Sequence, residues 1–120
     1  MFLNELERAV LKAMCQVAPQ DREELEAQVQ SVTVKSRDNS GAGFYTALEP
    51  DRSRKAVNVK VVDGVWVNIK GFQDPMTFVL FIKDGFIDIL EGAAVRDSTV
   101  GVNFSTAEFE MRSNLSGSAK

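Results

Sequence analysis

Asp63-Gly64 and Asp84-Gly85 each stand between two runs of β-branched and aromatic residues, and this constrains the fold more than any other feature of the chain. A two-residue type I′ turn needs positive φ at both central positions, which Asp-Gly meets with little strain. Such a dipeptide between apolar runs therefore predicts a β-hairpin. In AVNVKVVDGVWVNIKG the turn pairs Val62 with Val65, Val61 with Trp66 and Val59 with Asn68. In MTFVLFIKDGFIDILEG it pairs Lys83 with Phe86, Ile82 with Ile87, Leu80 with Ile89 and Phe78 with Glu91. Gln73-Asp74-Pro75 breaks the chain between them, so the expectation is a four-stranded antiparallel meander.

Upstream the period is helical. Leu3, Leu6, Val10, Ala13 and Val17 recur at steps of three and four, the stripe of an amphipathic helix, and Ala18-Pro19 ends it. Asp21 followed by Glu24 fits a capping box opening a second helix, with Leu25 and Val29 on one face. From Val32 the period becomes two, which predicts a strand. Asp38-Asn39-Ser40-Gly41 is turn chemistry, and Gly43 to Leu48 reads as the next strand. A last strand is expected near Ala107 to Met111. The whole predicts one α+β domain over residues 1–112, two N-terminal helices packed on a mostly antiparallel meander sheet of six to seven strands, followed by a frayed polar tail at 113–120.

A chain of 120 residues carries its own core without staples, and its apolar and charged fractions (44% and 26%) are those of ordinary globular domains. The net charge of −3 argues against nucleic acid as a partner. Residues 35–60 are locally basic, with Lys35, Arg37, Arg52, Arg54, Lys55 and Lys60, which fits a solvated segment balancing acidic helices or a grip on an anionic group. The lone Cys15 cannot form an internal disulfide, and no apolar run reaches membrane-spanning length. The expectation is a cytoplasmic protein with no membrane partner.

With no histidine, Ser-His-Asp and Cys-His catalytic arrangements are excluded, and zinc would find only carboxylates beside one thiol. No cofactor, metal or catalytic residue is expected. The glycines of Ser40-Gly41-Ala42-Gly43-Phe44 precede a strand rather than a helix, so close backbone approach or a β-bulge explains them better than phosphate binding. Two positions stand out on the second hairpin. Its register puts Glu91 on the aliphatic face of Phe78, Leu80, Ile82, Ile87 and Ile89, where a carboxylate needs a partner. Arg37 is the candidate, as a structural ion pair or as the floor of a polar pocket. The opposite face gathers Val79, Phe81, Phe86 and Leu90, an apolar patch of the kind that marks an interface if nothing covers it.

The segments Ser36-Arg37-Asp38-Asn39-Ser40-Gly41-Ala42-Gly43-Phe44-Tyr45-Thr46 and Phe78 to Phe86, continuing through Leu90-Glu91-Gly92, resemble a family of small bacterial proteins of unknown function. That family has an Arg-acid pair before a Gly-x-Gly-Phe strand, and a Leu-Phe-x-x-Asp-Gly hairpin ending in Leu-Glu-Gly. The resemblance implies a fold and a bacterial origin and no activity. It sets Arg37 and Glu91 on matching motif positions.

Two functions follow as expectations. The first is a non-enzymatic interaction module, a homodimer or a partner-binding protein, using the apolar hairpin face with Phe81 and Phe86; Tyr45 is a further candidate for either ligand or interaction. The second is a small anionic-ligand-binding or hydrolytic protein using Arg37 and Glu91.

Overall fold

The computed structural model describes residues 1–112 and the backbone of 118–119, so the expected frayed tail lies mostly outside the described residues. α1 (Glu5–Val17) is capped at Asn4. Asn4 Oδ1 accepts from Glu7 N at 2.8 Å and Glu7 Oε1 accepts from Asn4 N at 2.8 Å, a reciprocal capping box. The helix buries Leu6, Val10, Leu11, Met14 and Cys15 and stops at Ala18 before Pro19, as the sequence predicts.

A short 3₁₀ turn, Pro19–Asp21, leads into α2 (Arg22–Ser31). The capping box expected from Asp21 and Glu24 does not form. Instead the Asp21 carboxylate accepts from the backbone N of Asn58 at 3.2 Å and of Val59 at 3.0 Å. Those donors lie outside the sheet, and a buried carboxylate is a stronger partner for them than for its own helix.

The sheet contains β1 (Thr33–Asn39), β2 (Gly43–Glu49), β3 (Val61–Ile69), β4 (Met76–Lys83), β5 (Phe86–Ala93) and β6 (Phe109–Met111), all antiparallel. Their order is β1-β2-β5-β4-β3-β6, and a two-residue β7 (Ser118–Ala119) also pairs with β3. Both helices pack on one side of it. The fold is α+β, in agreement with the sequence reading.

Only one of the two Asp-Gly sites is a hairpin turn. At Asp84-Gly85 both residues take positive φ, 53° and 87°, and Lys83 faces Phe86 as predicted. At Asp63-Gly64 the chain does not turn. β3 runs straight through, and Val62 and Val65 pair with Leu80 and Phe78 of β4. Three steps on β3 match two on β4, so one residue bulges out, and the positive φ of Gly64 (89°) absorbs it. The expected first arm is held elsewhere. Asp21 takes the backbone N of Asn58 and Val59, Val57 N donates to Gly85 O at 2.9 Å, and Ile82 N donates to Lys60 O at 2.9 Å.

A second bulge changes the faces of the true hairpin. Ile82 faces Ile87, but Phe81 faces Ile89, so Asp88 is the extra residue. From there each β5 residue shifts by one: Leu80 meets Leu90 and Phe78 meets Gly92, not Ile89 and Glu91 as the uniform count predicts. Because side chains alternate, one extra residue exchanges the two faces. Leu90 therefore joins the core with Met76, Phe78, Leu80 and Ile87, and Glu91 turns away from it. Gly43 bears out the close backbone approach read from the sequence, since a Cβ there would collide with the Gly92 carbonyl.

Candidate functional site

The helix-covered face holds one buried ionic cluster. Glu7 is 0% exposed, and the capping box at the start of α1 aims its carboxylate at β1 and β2. Arg37 donates from Nε to Oε2 at 2.8 Å and from Nη2 to Oε1 at 2.7 Å, a two-pronged pair, and Thr46 Oγ1 donates to Oε2 at 2.6 Å. With the Asn4 N–H the carboxylate accepts four hydrogen bonds, which offset the cost of burying its charge. Burial pushes the Glu7 carboxyl up, but the hydrogen bonds from Arg37, Thr46 and Asn4 and the Arg37 charge outweigh it and hold it below the usual carboxylate range. The same pairing raises Arg37. This arrangement fixes the end of α1 against the β1–β2 edge.

Beside it lies a cleft of ≈ 400 Å³ whose lining includes Asn4, Arg37, Asn39, Phe44, Asn103 and Phe104. Phe44 and Phe104 stack at 4.5 Å between ring centroids. Arg37 Nη1 finds no oxygen acceptor among the described residues, only the Met1 Sδ at 3.8 Å.

Among the described residues no helix covers the other face of the sheet. Cross-strand partners share a face, so the pairings define its rows. Val61, Phe81, Ile89 and Ala47 form one row across β3, β4, β5 and β2. Val79, Glu91, Tyr45 and Asp38 form the next across β4, β5, β2 and β1. Trp66, Thr77, Ala93 and Gly43 form a third. Tyr45 and Phe81, on either side of β5, are the most open of the large side chains, 43% and 37% exposed, while Val61, Trp66, Val79 and Ile89 are half-buried.

The structure separates Arg37 from Glu91. Arg37 shares the inner face with Thr46 and Leu90; Glu91 stands on the outer face beside Tyr45. The expected Arg37/Glu91 site is thus replaced by an Arg37/Glu7 pair. Glu7 escapes notice in the sequence because it sits within the first turn of an amphipathic stripe, although Asn4-x-x-Glu7 matches the capping pattern. Tyr45, Glu91 and Phe81 do come together. Leu90 leaves the expected patch for the core, and Phe86 is covered by Arg52, whose guanidinium lies 5.4 Å from the ring centroid. The basic segment is largely engaged within the chain: Lys35 pairs with Glu49 at 3.1 Å, Arg54 with Asp51 at 3.8 Å and Lys55 with Glu24 at 3.7 Å.

Comparison with protein-family models, with curated proteins and with solved structures finds no match to the chain. No helix among the described residues is long and apolar enough to cross a membrane. The geometry of the two faces is therefore what any functional reading must rest on.

Proposed function

We propose that this chain is a non-enzymatic interaction module that self-associates, face to face, through the outer side of its sheet. One observation carries the reading: an apolar surface across β2, β5, β4 and β3, with Tyr45 and Phe81 on it open to solvent. Sheets bury such faces by packing about 10 Å apart on another sheet. Four strands at about 4.8 Å spacing and some 20 Å long present roughly 400 Å² per copy, or about 800 Å² for a pair. That is the size of a weak, transient interface and fits a dimer that forms only as the concentration rises. A second copy supplies a sheet of the same twist and outline, with charged and polar groups (Asp38, Glu49, Lys83, Asn68) at its rim.

Light scattering on Phe81→Glu tests the reading. The wild type is expected to show a concentration-dependent rise toward twice the chain mass, and the folded variant to remain at the single-chain mass. A wild type that keeps the single-chain mass throughout sinks it.

The segments that resemble the small bacterial family are consistent with this reading. They form β1, β2, β4 and β5, which adjoin in the sheet and carry Tyr45, Phe81 and Glu91 on one face. A cytoplasmic setting suits the lone Cys15, which is buried and whose thiol burial pushes up to about 11.

A second reading, a small-ligand site, is favoured by the cleft beside Arg37. Glu7 already meets the Arg37 charge, so a neutral carbonyl oxygen suits the free Nη1 better than an anion. Titrating acetate and acetamide against the side-chain NH signals of Arg37 and Asn103 separates the two; shifts with neither remove this reading.

A further inference from the structure

Glu91 is a carboxylate set among the apolar side chains of the outer face, and its surroundings indicate how a second copy accommodates it. Its neighbours in the row are Val79 on β4, which offers no hydrogen bond, and Tyr45 on β2, whose phenol is a donor. Among the described residues no hydrogen bond or ion pair engages the side chain of either Glu91 or Tyr45. Asp38, the next group along the row, is exposed on the edge strand and stays in water at the rim.

The geometry points to a reciprocal exchange: in the dimer the Tyr45 hydroxyl of each copy donates to the Glu91 carboxylate of the other. This inference rests on the self-association reading and deepens it. Two sheets packed face to face are related by a two-fold axis lying between them. When that axis runs parallel to the strands and passes between β2 and β5, every residue keeps its row and β2 falls over β5 of the second copy. Tyr45 then lies over Glu91, and Glu91 over Tyr45. Ala47 lies over Ile89, and Phe81 over the small Ser36 of the edge strand, so the two most exposed side chains of the face are both covered. Asp38–Tyr45 and Trp66–Thr77 also set a donor beside an acceptor. An axis between β1 and β2, however, leaves Phe81 uncovered, and one between β3 and β4 leaves Tyr45 uncovered. The exchange and the cover of both open side chains therefore fix the register together. The carboxylate would be costly to desolvate without the exchange, which makes Glu91 and Tyr45 the specificity-determining residues of the contact and Phe81 and Ile89 its apolar bulk.

The test is the dissociation constant of the full chain by sedimentation equilibrium over roughly 1 µM to 1 mM, with circular dichroism confirming that each variant is folded. Tyr45→Phe is expected to weaken the dimer by about a hundredfold or more, the worth of two hydrogen bonds to charged groups left unmade, one on each side of the two-fold axis. Tyr45→Phe combined with Glu91→Leu is expected to recover most of that loss, because the unpaired carboxylate is gone. A Tyr45→Phe constant within about twofold of wild type overturns the exchange. If Phe81→Glu still dissociates the protein in that case, the self-association reading survives without it. A wild type that stays monomeric across the range overturns both.

Discussion

Glu7 and Glu91 lie over opposite faces of the same three strands and show what each face does with a carboxylate. Glu7 comes from the helix layer, is wholly buried, and accepts four hydrogen bonds including both prongs of Arg37. Glu91 stands on the open face beside an unengaged tyrosine. A charge sealed inside a fold must be fully partnered within the chain; a charge left at the centre of an apolar open face can wait for a partner from outside. On the proposed reading, stability belongs to one face and association to the other.

The sharpest way to break this division is to cut the same strand on both sides. Leu90→Ala removes a fully buried side chain from the inner face and is expected to cost about 2–5 kcal/mol in denaturant unfolding. Ile89→Ala, one residue away on the outer face, is expected to cost about 1 kcal/mol or less in the monomer and to weaken self-association instead. Equal losses of stability would erase the distinction between the faces.

Next in size is the ion pair. Arg37→Leu strands the buried Glu7 carboxylate and is expected to destabilise by about 3 kcal/mol. Glu91→Gln is expected to stay within about 0.5 kcal/mol of wild type by the same measurement at a concentration where the protein is monomeric. A comparable cost for Glu91→Gln would mean that the outer carboxylate is part of the fold.

Acid titration sharpens the comparison further. The Glu7 carboxyl is held below its ordinary range in the folded chain, so its stabilising share is fully present above the usual glutamate value of about 4.3 and is lost as pH falls through the lower folded value. Thermal melts from neutral to strongly acidic pH should show a steeper low-pH decline for wild type than for Glu7→Gln. Parallel curves would show that the carboxylate is not held low by its partners. Among the partners of Glu7 the smallest effect is expected at Thr46→Val, about 1 kcal/mol, since three donors to Glu7 remain.

Much of this was legible from the chain. The two helices, the stop at Pro19, the hairpin at Asp84-Gly85, the close approach at Gly43 and the openness of Phe81 all follow from local chemistry: a 3.6-residue stripe, a fixed proline φ, a turn that demands positive φ, a missing Cβ, strand alternation. The partner of Arg37 was not legible, because Glu7 looks like the polar side of a helix until the capping bond turns it inward. Nor was the position of Leu90 and Glu91, which hangs on one bulged residue at Asp88.

The two Asp-Gly sites state the limit most clearly. Each dipeptide determines by itself that the backbone there reaches positive φ, as it does at Asp84, Gly85 and Gly64. That conformation serves a hairpin turn and a bulge equally well. Tertiary structure made the choice: Phe86 onward found β4 directly opposite and closed a hairpin, while the segment before Val61 was taken by Asp21, Gly85 and Ile82, leaving β3 to run on along β4 with Gly64 absorbing the extra residue. Turn chemistry is local and the sequence alone determines it. Strand partnership is a competition among distant backbone groups, and only the assembled fold decides it.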